Sequence, residues 1–164
     1  MKRAPIVGVM GGGNADFSTL KQAEILGGLI AEKGWILLNG GRCTGIMEAT
    51  SKGAFEKGGM TVGILPENHS EGMSEYVKIP IVTGMGHARN TINILSSDVV
   101  VACPGGAGTL SEIALSIKCG KPLILFAFKP DSDLAVLLKK QGMFFASTPE
   151  EVIGRIDDLL NGRL

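Results

Sequence analysis

Short apolar runs alternate with segments of helical period along the whole chain, and this alternation restricts the fold more than any other feature. The runs are Ile6–Met10, Trp35–Leu38, Thr61–Leu65, Val77–Val82, Val99–Cys103, Pro122–Phe126 and Met143–Phe145. Most carry aliphatic side chains at both odd and even positions, the pattern of a strand covered on both faces, as in a parallel sheet. Between them, Leu20, Ala23, Gly27, Ile30 and Ala31 share one helical face, and so do Ile46, Ala49, Gly53 and Ala54. Ile92 and Leu95 mark a third, shorter helix. Leu110, Ile113, Ala114 and Ile117 mark the core face of a fourth, with Glu112 off that face, and Leu134, Leu137 and Leu138 mark a fifth. Val152, Ile156, Leu159 and Leu160 define the last, opened by Thr148, Pro149 and Glu151 in capping-box order. Strand–helix alternation over 164 residues predicts one α/β domain. The expected fold is a Rossmann-like, doubly wound parallel sheet of about seven strands with helices on both faces. The irregular stretch Glu67–Glu75 reads as a lid or a surface loop, and a surface loop is the commoner case.

In such a sheet, ligands sit beyond the carboxyl ends of the strands. Three glycine clusters fall at that edge. Gly11-Gly12-Gly13 follows the first run, Gly40-Gly41 follows the second and leads to Gly45, and Gly105-Gly106 with Gly108 follows the fifth. Each precedes a helix. Backbone N–H groups at a helix N-terminus, with no Cβ in the way, form a seat for an anion. A single glycine pair after a strand is more often a tight turn, but turns alone do not require three clusters on one edge. None ends in the Gly-Lys-Ser/Thr of a Walker loop, and the first lacks dinucleotide-fingerprint spacing. Asn39-Gly40 after the second run offers no acidic residue for a ribose diol, which disfavours a nicotinamide dehydrogenase. The expected partner is a small phosphorylated ligand. Its candidate binders are Gly11, Gly12, Gly13, Gly40, Gly41, Gly45, Gly105, Gly106, Gly108 and Thr109.

The side chains near these loops admit two readings each. Thr109 and Glu112 have capping-box spacing, so the carboxylate either closes the first turn of its helix or projects toward the ligand. Arg89 begins a helix, where a cation opposes the dipole. An anionic ligand explains that placement; the alternatives are a solvated arginine or a pair with Asp98 or Glu112. His87, Arg42 and Asn14 are weaker loop candidates, and the cysteines read as small buried hydrophobes.

Composition narrows the partners. Sixteen basic residues balance sixteen acidic ones, so nothing favours nucleic acid or an anionic membrane. Three widely spaced cysteines without zinc-ligand spacing, and no secretory leader or membrane span, predict a cytoplasmic protein with reduced thiols and no metal site.

Pro104-Gly105-Gly106-Ala107-Gly108-Thr109-Leu110-Ser111-Glu112 matches the Pro-Gly-Gly-x-Gly-Thr-x-x-Glu signature of the LONELY GUY (LOG) proteins, often labelled "possible lysine decarboxylase". Gly40-Gly41-Arg42-Cys43-Thr44-Gly45-Ile46-Met47-Glu48-Ala49 resembles the family's second glycine motif, and Ala88-Arg89-Asn90 sits where the family carries its Arg-Lys element. Arg89-Asn90-Thr91-Ile92-Asn93 and Gly120-Lys121-Pro122 look like the branch that includes molybdenum-cofactor carrier-like proteins. The resemblance implies two kinds of function. Cytokinin-activating LOG enzymes hydrolyse the N-glycosidic bond of a nucleoside 5′-monophosphate, which by position makes Arg89 and Glu112 the catalytic candidates. Carrier-like members bind a phosphate-bearing pterin. Asn90 replaces the lysine of the Arg-Lys pair and favours the carrier-like branch. The resemblance further implies a homodimer or dimer of dimers that requires no cofactor, with a nucleotide or molybdenum cofactor as ligand. No lysine is singled out for the Schiff base that pyridoxal chemistry needs, so a decarboxylase is not expected. A DNA-processing family shares the superfold, but a chain without a basic stripe does not suit single-stranded DNA.

Overall fold

The computed structural model describes residues 3–127 and 143–163. The apolar runs form strands β1 (Ile6–Met10), β2 (Ile36–Asn39), β3 (Met60–Leu65), β4 (Ile79–Val82), β5 (Val99–Ala102), β6 (Leu123–Phe126) and β7 (Phe144–Ala146). The helices are α1 (Phe17–Glu32), α2 (Gly45–Glu56), α3 (Asn90–Ser96), α4 (Ala107–Lys118) and α5 (Pro149–Leu160), with a 3-10 turn at Gly86–Arg89. The strands make one sheet in the order β4-β3-β2-β1-β5-β6-β7, and every neighbouring pair is parallel. The helix expected around Leu134, Leu137 and Leu138 lies outside the described residues.

Alternation along the strands feeds two cores. Val7, Val9, Val99 and Val101 pack under α1, α2 and α5, while Met10, Val100 and Ala102 pack under α3 and α4. Burying each Val, Ile or Leu contributes about 1.5–3 kcal/mol, which is why the central strands read as unbroken apolar runs. On the first face α1 and α2 approach closely through glycines. A Cβ on Gly53 would lie 1.9 Å from the Glu24 carbonyl oxygen, and one on Gly27 would lie 2.1 Å from that of Thr50. The α5 start follows expectation: Thr148 caps it by accepting from the Glu151 N–H, with Pro149 in the first turn.

Three expectations need correction. The run Val77–Val82 is not buried on both faces: β4 is an edge strand, exposed along its length, and Pro80 is tolerated there because an edge need not use every N–H. On α4 the buried residues are Thr109, Glu112, Ile113 and Ser116, while Leu110 and Ala114 are exposed. On α3 they are Asn90, Asn93 and Ile94, while Leu95 is exposed. These two helices turn a partly polar stripe inward beside Ile92, Ile113 and Ile117, which do pack on the core, so counting apolar residues finds only part of the buried face. The Glu67–Glu75 loop joins β3 to β4 and folds back on the second glycine cluster. There the Ser74 N–H donates to the Gly41 carbonyl at 2.8 Å and the Cys43 N–H donates to that of Gly72 at 3.1 Å.

Candidate functional site

The strand order reverses at β1, whose neighbours β2 and β5 lead their chains to opposite sides. Loops leaving the carboxyl ends there diverge and leave a crevice. It holds a cavity of about 580 Å³. Gly11, Gly12, Gly13, Gly40, Gly106, Gly108, Thr109, Arg89 and Glu112 all line it, with Arg42, His87 and Asn90; Asn14 does not. Gly41, Gly45 and Gly105 stand behind this lining and lock the loops together. The Gly12 N–H donates to the Pro104 carbonyl and the Ile46 N–H to the Gly12 carbonyl, each at 3.0 Å. A Cβ on Gly105 would fall 2.7 Å from the Gly12 nitrogen and 2.1 Å from Thr109 Oγ1. Gly45, at φ +58°, would place one 2.2 Å from the Gly12 carbonyl oxygen.

The helices behind the three clusters differ in what already satisfies their N-termini. The α1 terminus is closed by Asp16, whose carboxylate accepts from the Thr19 N–H at 2.8 Å; that bond, with one from the Thr19 hydroxyl, holds the carboxyl below its ordinary range. The α2 terminus gives its Ile46 N–H to Gly12 and carries Glu48 in its first turn. The α4 terminus has Gly106 as N-cap, no side-chain cap and no acidic residue in the first turn. The opening N–H groups of an α-helix have no intrahelical acceptor. An anion is therefore least opposed at α4.

Arg89 closes the 3-10 turn, just ahead of α3, and is only 9% exposed. Its Nε has no hydrogen-bond partner, and no ion pair holds its guanidinium among the described residues. Asp98, one partner considered for it, is taken by Arg3 at 2.7 Å. Burial pushes the Arg89 guanidinium below its ordinary pKa, and the charge of Glu112 opposes that shift. Gly40 makes room for it: a Cβ there would meet both terminal guanidinium nitrogens at 2.6–2.7 Å. Arg42, at the cavity wall, is ion-paired with Glu67.

The capping-box reading of Glu112 does not hold, because the N-cap of α4 is Gly106 rather than Thr109 and Glu112 lies beyond the first turn. The carboxyl is buried, and its Oε1 accepts from Asn93 Nδ2 at 3.0 Å. Burial pushes its pKa up, against the pull of the Asn93 hydrogen bond and the Arg89 charge. Asn93, which sequence reasoning meets only as the last residue of the branch motif, has no role at the site assigned to it there. It lies four positions after Arg89, and i,i+4 spacing puts the two on one helical side. Asn90, in the lysine's place, donates through Nδ2 to Ser111 Oγ at 2.9 Å, and Ser111 Oγ donates to the Gly108 carbonyl at 2.7 Å. It thus braces α3 against the first turn of α4. Of the cysteines only Cys103 is buried, its thiol pushed up to about 12 by desolvation; Cys43 and Cys119 lie in loops and are exposed.

The sequence profile of the SLOG cluster4 family matches residues 4–153. The solved structure of the molybdenum cofactor binding protein from the phototrophic bacterium Rippkaea orientalis matches with a TM-score of 0.91 at 48% identity, over 98% of this chain and 99% of that one. The molybdenum cofactor carrier protein from Chlamydomonas reinhardtii matches with a TM-score of 0.90 at 42% identity, over 97% of this chain and 99% of that one. The cytokinin riboside 5′-monophosphate phosphoribohydrolase of Mycobacterium marinum is 33% identical over 96 residues, 57% of this chain and 51% of that protein. The chain thus aligns with about half the length of that enzyme.

Proposed function

Because the chain belongs to the SLOG cluster4 family, we propose that it binds a phosphate ester, a nucleoside monophosphate or a phosphorylated pterin such as the molybdenum cofactor, in the crevice beside β1 and β5. One observation carries the reading. Arg89 is a buried guanidinium that, among the described residues, makes no direct ion pair, with the Glu112 charge its nearby compensation, and it lines the same cavity as the uncapped N-terminus of α4. An unpaired buried charge is strongly destabilising, and a phosphate entering here supplies its counter-charge. The phosphate accepts from the amides and hydroxyl at Gly106, Gly108 and Thr109, and Arg89 adds a charge-assisted bond. Met10, Met47 and Pro66 give the cavity an apolar wall for the face of a flat heterocycle. A pterin ligand would have its phosphate held by this same set of groups. The similarity to a cofactor binding protein and a carrier protein, and Asn90 tied to Ser111, support a carrier role over hydrolysis. The reading includes a cytoplasmic homodimer or dimer of dimers, and the zero net charge supports a protein that takes no nucleic acid. Among the described residues no helix is long and apolar enough to cross a membrane.

Calorimetric titration with AMP and with a pterin monophosphate tests the proposal, beside mass spectrometry of the ligand that copurifies. Saturable binding is expected. No heat with any probe and no copurifying phosphate ester would sink it.

Hydrolysis is the second reading, and Glu112 is the observation that favours it. Cleaving an N-glycosidic bond builds positive charge on the sugar, and a carboxylate stabilises that charge or activates a water. The balanced reaction takes AMP and water to adenine and ribose 5-phosphate. Adenine released above a no-enzyme control is the readout. Glu112→Gln is expected to abolish that release, and unchanged turnover in this variant excludes a catalytic Glu112.

A further inference from the structure

We propose that Asn93 is a positioning residue for Glu112: its side-chain amide holds the carboxyl in the cavity and accommodates it both ionised and protonated. This rests on the reading of the cavity as a phosphate-ester site lined by Glu112. Asn93 is fully buried on α3, and its Nδ2 donates to Glu112 Oε1 at 3.0 Å. Its Oδ1 is also buried and, among the described residues, has no hydrogen-bond partner. An orphaned buried acceptor is destabilising, so as a packing residue asparagine is a poor choice beside an apolar cluster that contains Ile94 and Ile113. As a partner for a carboxyl it is well suited. In the observed orientation Nδ2 donates to the ionised group. A half-turn of the amide puts Oδ1 in that place, where it accepts from the protonated group.

Both states matter at this site. The charged and titratable side chains around the cavity are Arg89 from the 3-10 turn, Arg42 and Glu67 from the loops after β2 and β3, and His87. Arg42 is already paired with Glu67, and the first turn of α4 contributes no acidic charge. With Glu112 ionised, Arg89 has an acidic neighbour. A phosphate dianion entering the cavity takes over that role and drives Glu112 toward its neutral form. Arginine has no acceptor for the carboxylic proton; the Asn93 amide has one. Ser97 Oγ donates to the Asn93 carbonyl at 2.7 Å and anchors the end of this turn.

The experiment is an NMR titration of 13C-labelled glutamate carboxyls in the wild type, Asn93→Leu and Asn93→Asp, with Glu112→Gln used to assign the resonance. Removing the donor is expected to raise the Glu112 midpoint by about one pH unit. Asn93→Asp places a second carboxyl beside the first, and the pair is expected to titrate in two steps, one above the wild-type midpoint. AMP affinity, measured against pH, is expected to shift along the pH axis with the midpoint in each variant. Midpoints within about 0.2 units of wild type in both variants would overturn the role. Should the leucine variant fail to fold, the near-isosteric aspartate variant decides alone. The titration needs no ligand, so absent AMP and pterin binding would remove the phosphate-ester reading without obscuring the result for Asn93.

Discussion

Arg89 and Glu112 are both buried, and their burial works against charge on each of them. In the proposed reading, a site that holds two such groups gives up stability for binding. Removing the charge at Arg89 with Arg89→Met is therefore expected to act in two directions. AMP affinity falls at least about tenfold, equivalent to about 1.4 kcal/mol, while thermal stability holds or rises. Calorimetry and a melting curve on one sample read both. For Glu112 the folded pKa lies above the unfolded one, so its favourable contribution is complete below the unfolded pKa and is lost as pH rises through the folded pKa. Glu112→Gln is accordingly expected to melt a few degrees above wild type at pH 7–8, with the gap closing below about pH 4. A pH-independent gap would mean that the charge is not what burial penalises. The sequence signature pointed to Glu112, and glycine spacing pointed to the α4 terminus. Nothing in the signature indicated Asn93, because its significance is the distance to a carboxyl nineteen residues away on another helix.

At the level of elements, the glycine loops divide into those that face the cavity and those that join one loop to another. Sequence spacing treats Gly105 and Gly106 alike. A Cβ on Gly106 meets nothing within 4 Å, whereas one on Gly105 runs into Thr109 and the Gly12 backbone. Gly105→Ala is thus expected to lose about 1–3 kcal/mol and most AMP binding, while Gly106→Ala stays near wild-type stability. Denaturant melts of the pair separate them. Gly53→Ala sets helix propensity against contact. Alanine is favoured by about 1 kcal/mol within a helix, but the new methyl would stand 1.9 Å from the Glu24 carbonyl oxygen. Contact is expected to prevail, with a net destabilisation on the melt.

Over the whole molecule, the reversal of strand order at β1 decides where the loops meet. Asp98, just before β5, ties the opposite, amino-terminal ends of β1 and β5 together. It accepts from the Ile6 N–H at 2.8 Å and binds Arg3. The Arg3 hydrogen bond is the main reason its carboxyl titrates below the ordinary range. Its contribution is present above the unfolded pKa and is lost as pH falls through the folded one. Asp98→Asn is expected to lower the melting temperature by about 2–4 °C at pH 7, with the difference disappearing in acid. Differential scanning calorimetry at the two pH values checks it.

The strands, their parallel arrangement, the capped start of α5 and the glycine-rich edge were legible from the amino-acid order alone. These follow from period, turn chemistry and capping, which act over a few residues. Only the tertiary structure decided which faces of α3 and α4 turn inward. There the buried stripe includes Asn90, Asn93, Thr109 and Glu112, because those helices pack against each other and the cavity as well as the apolar sheet. It also decided that, among the described residues, Arg89 Nε has no hydrogen-bond partner and that Glu112 meets Asn93 rather than its own helix terminus. Hydrogen-bond partners and burial between elements distant in the chain depend on how those elements are brought together, and local spacing does not encode them.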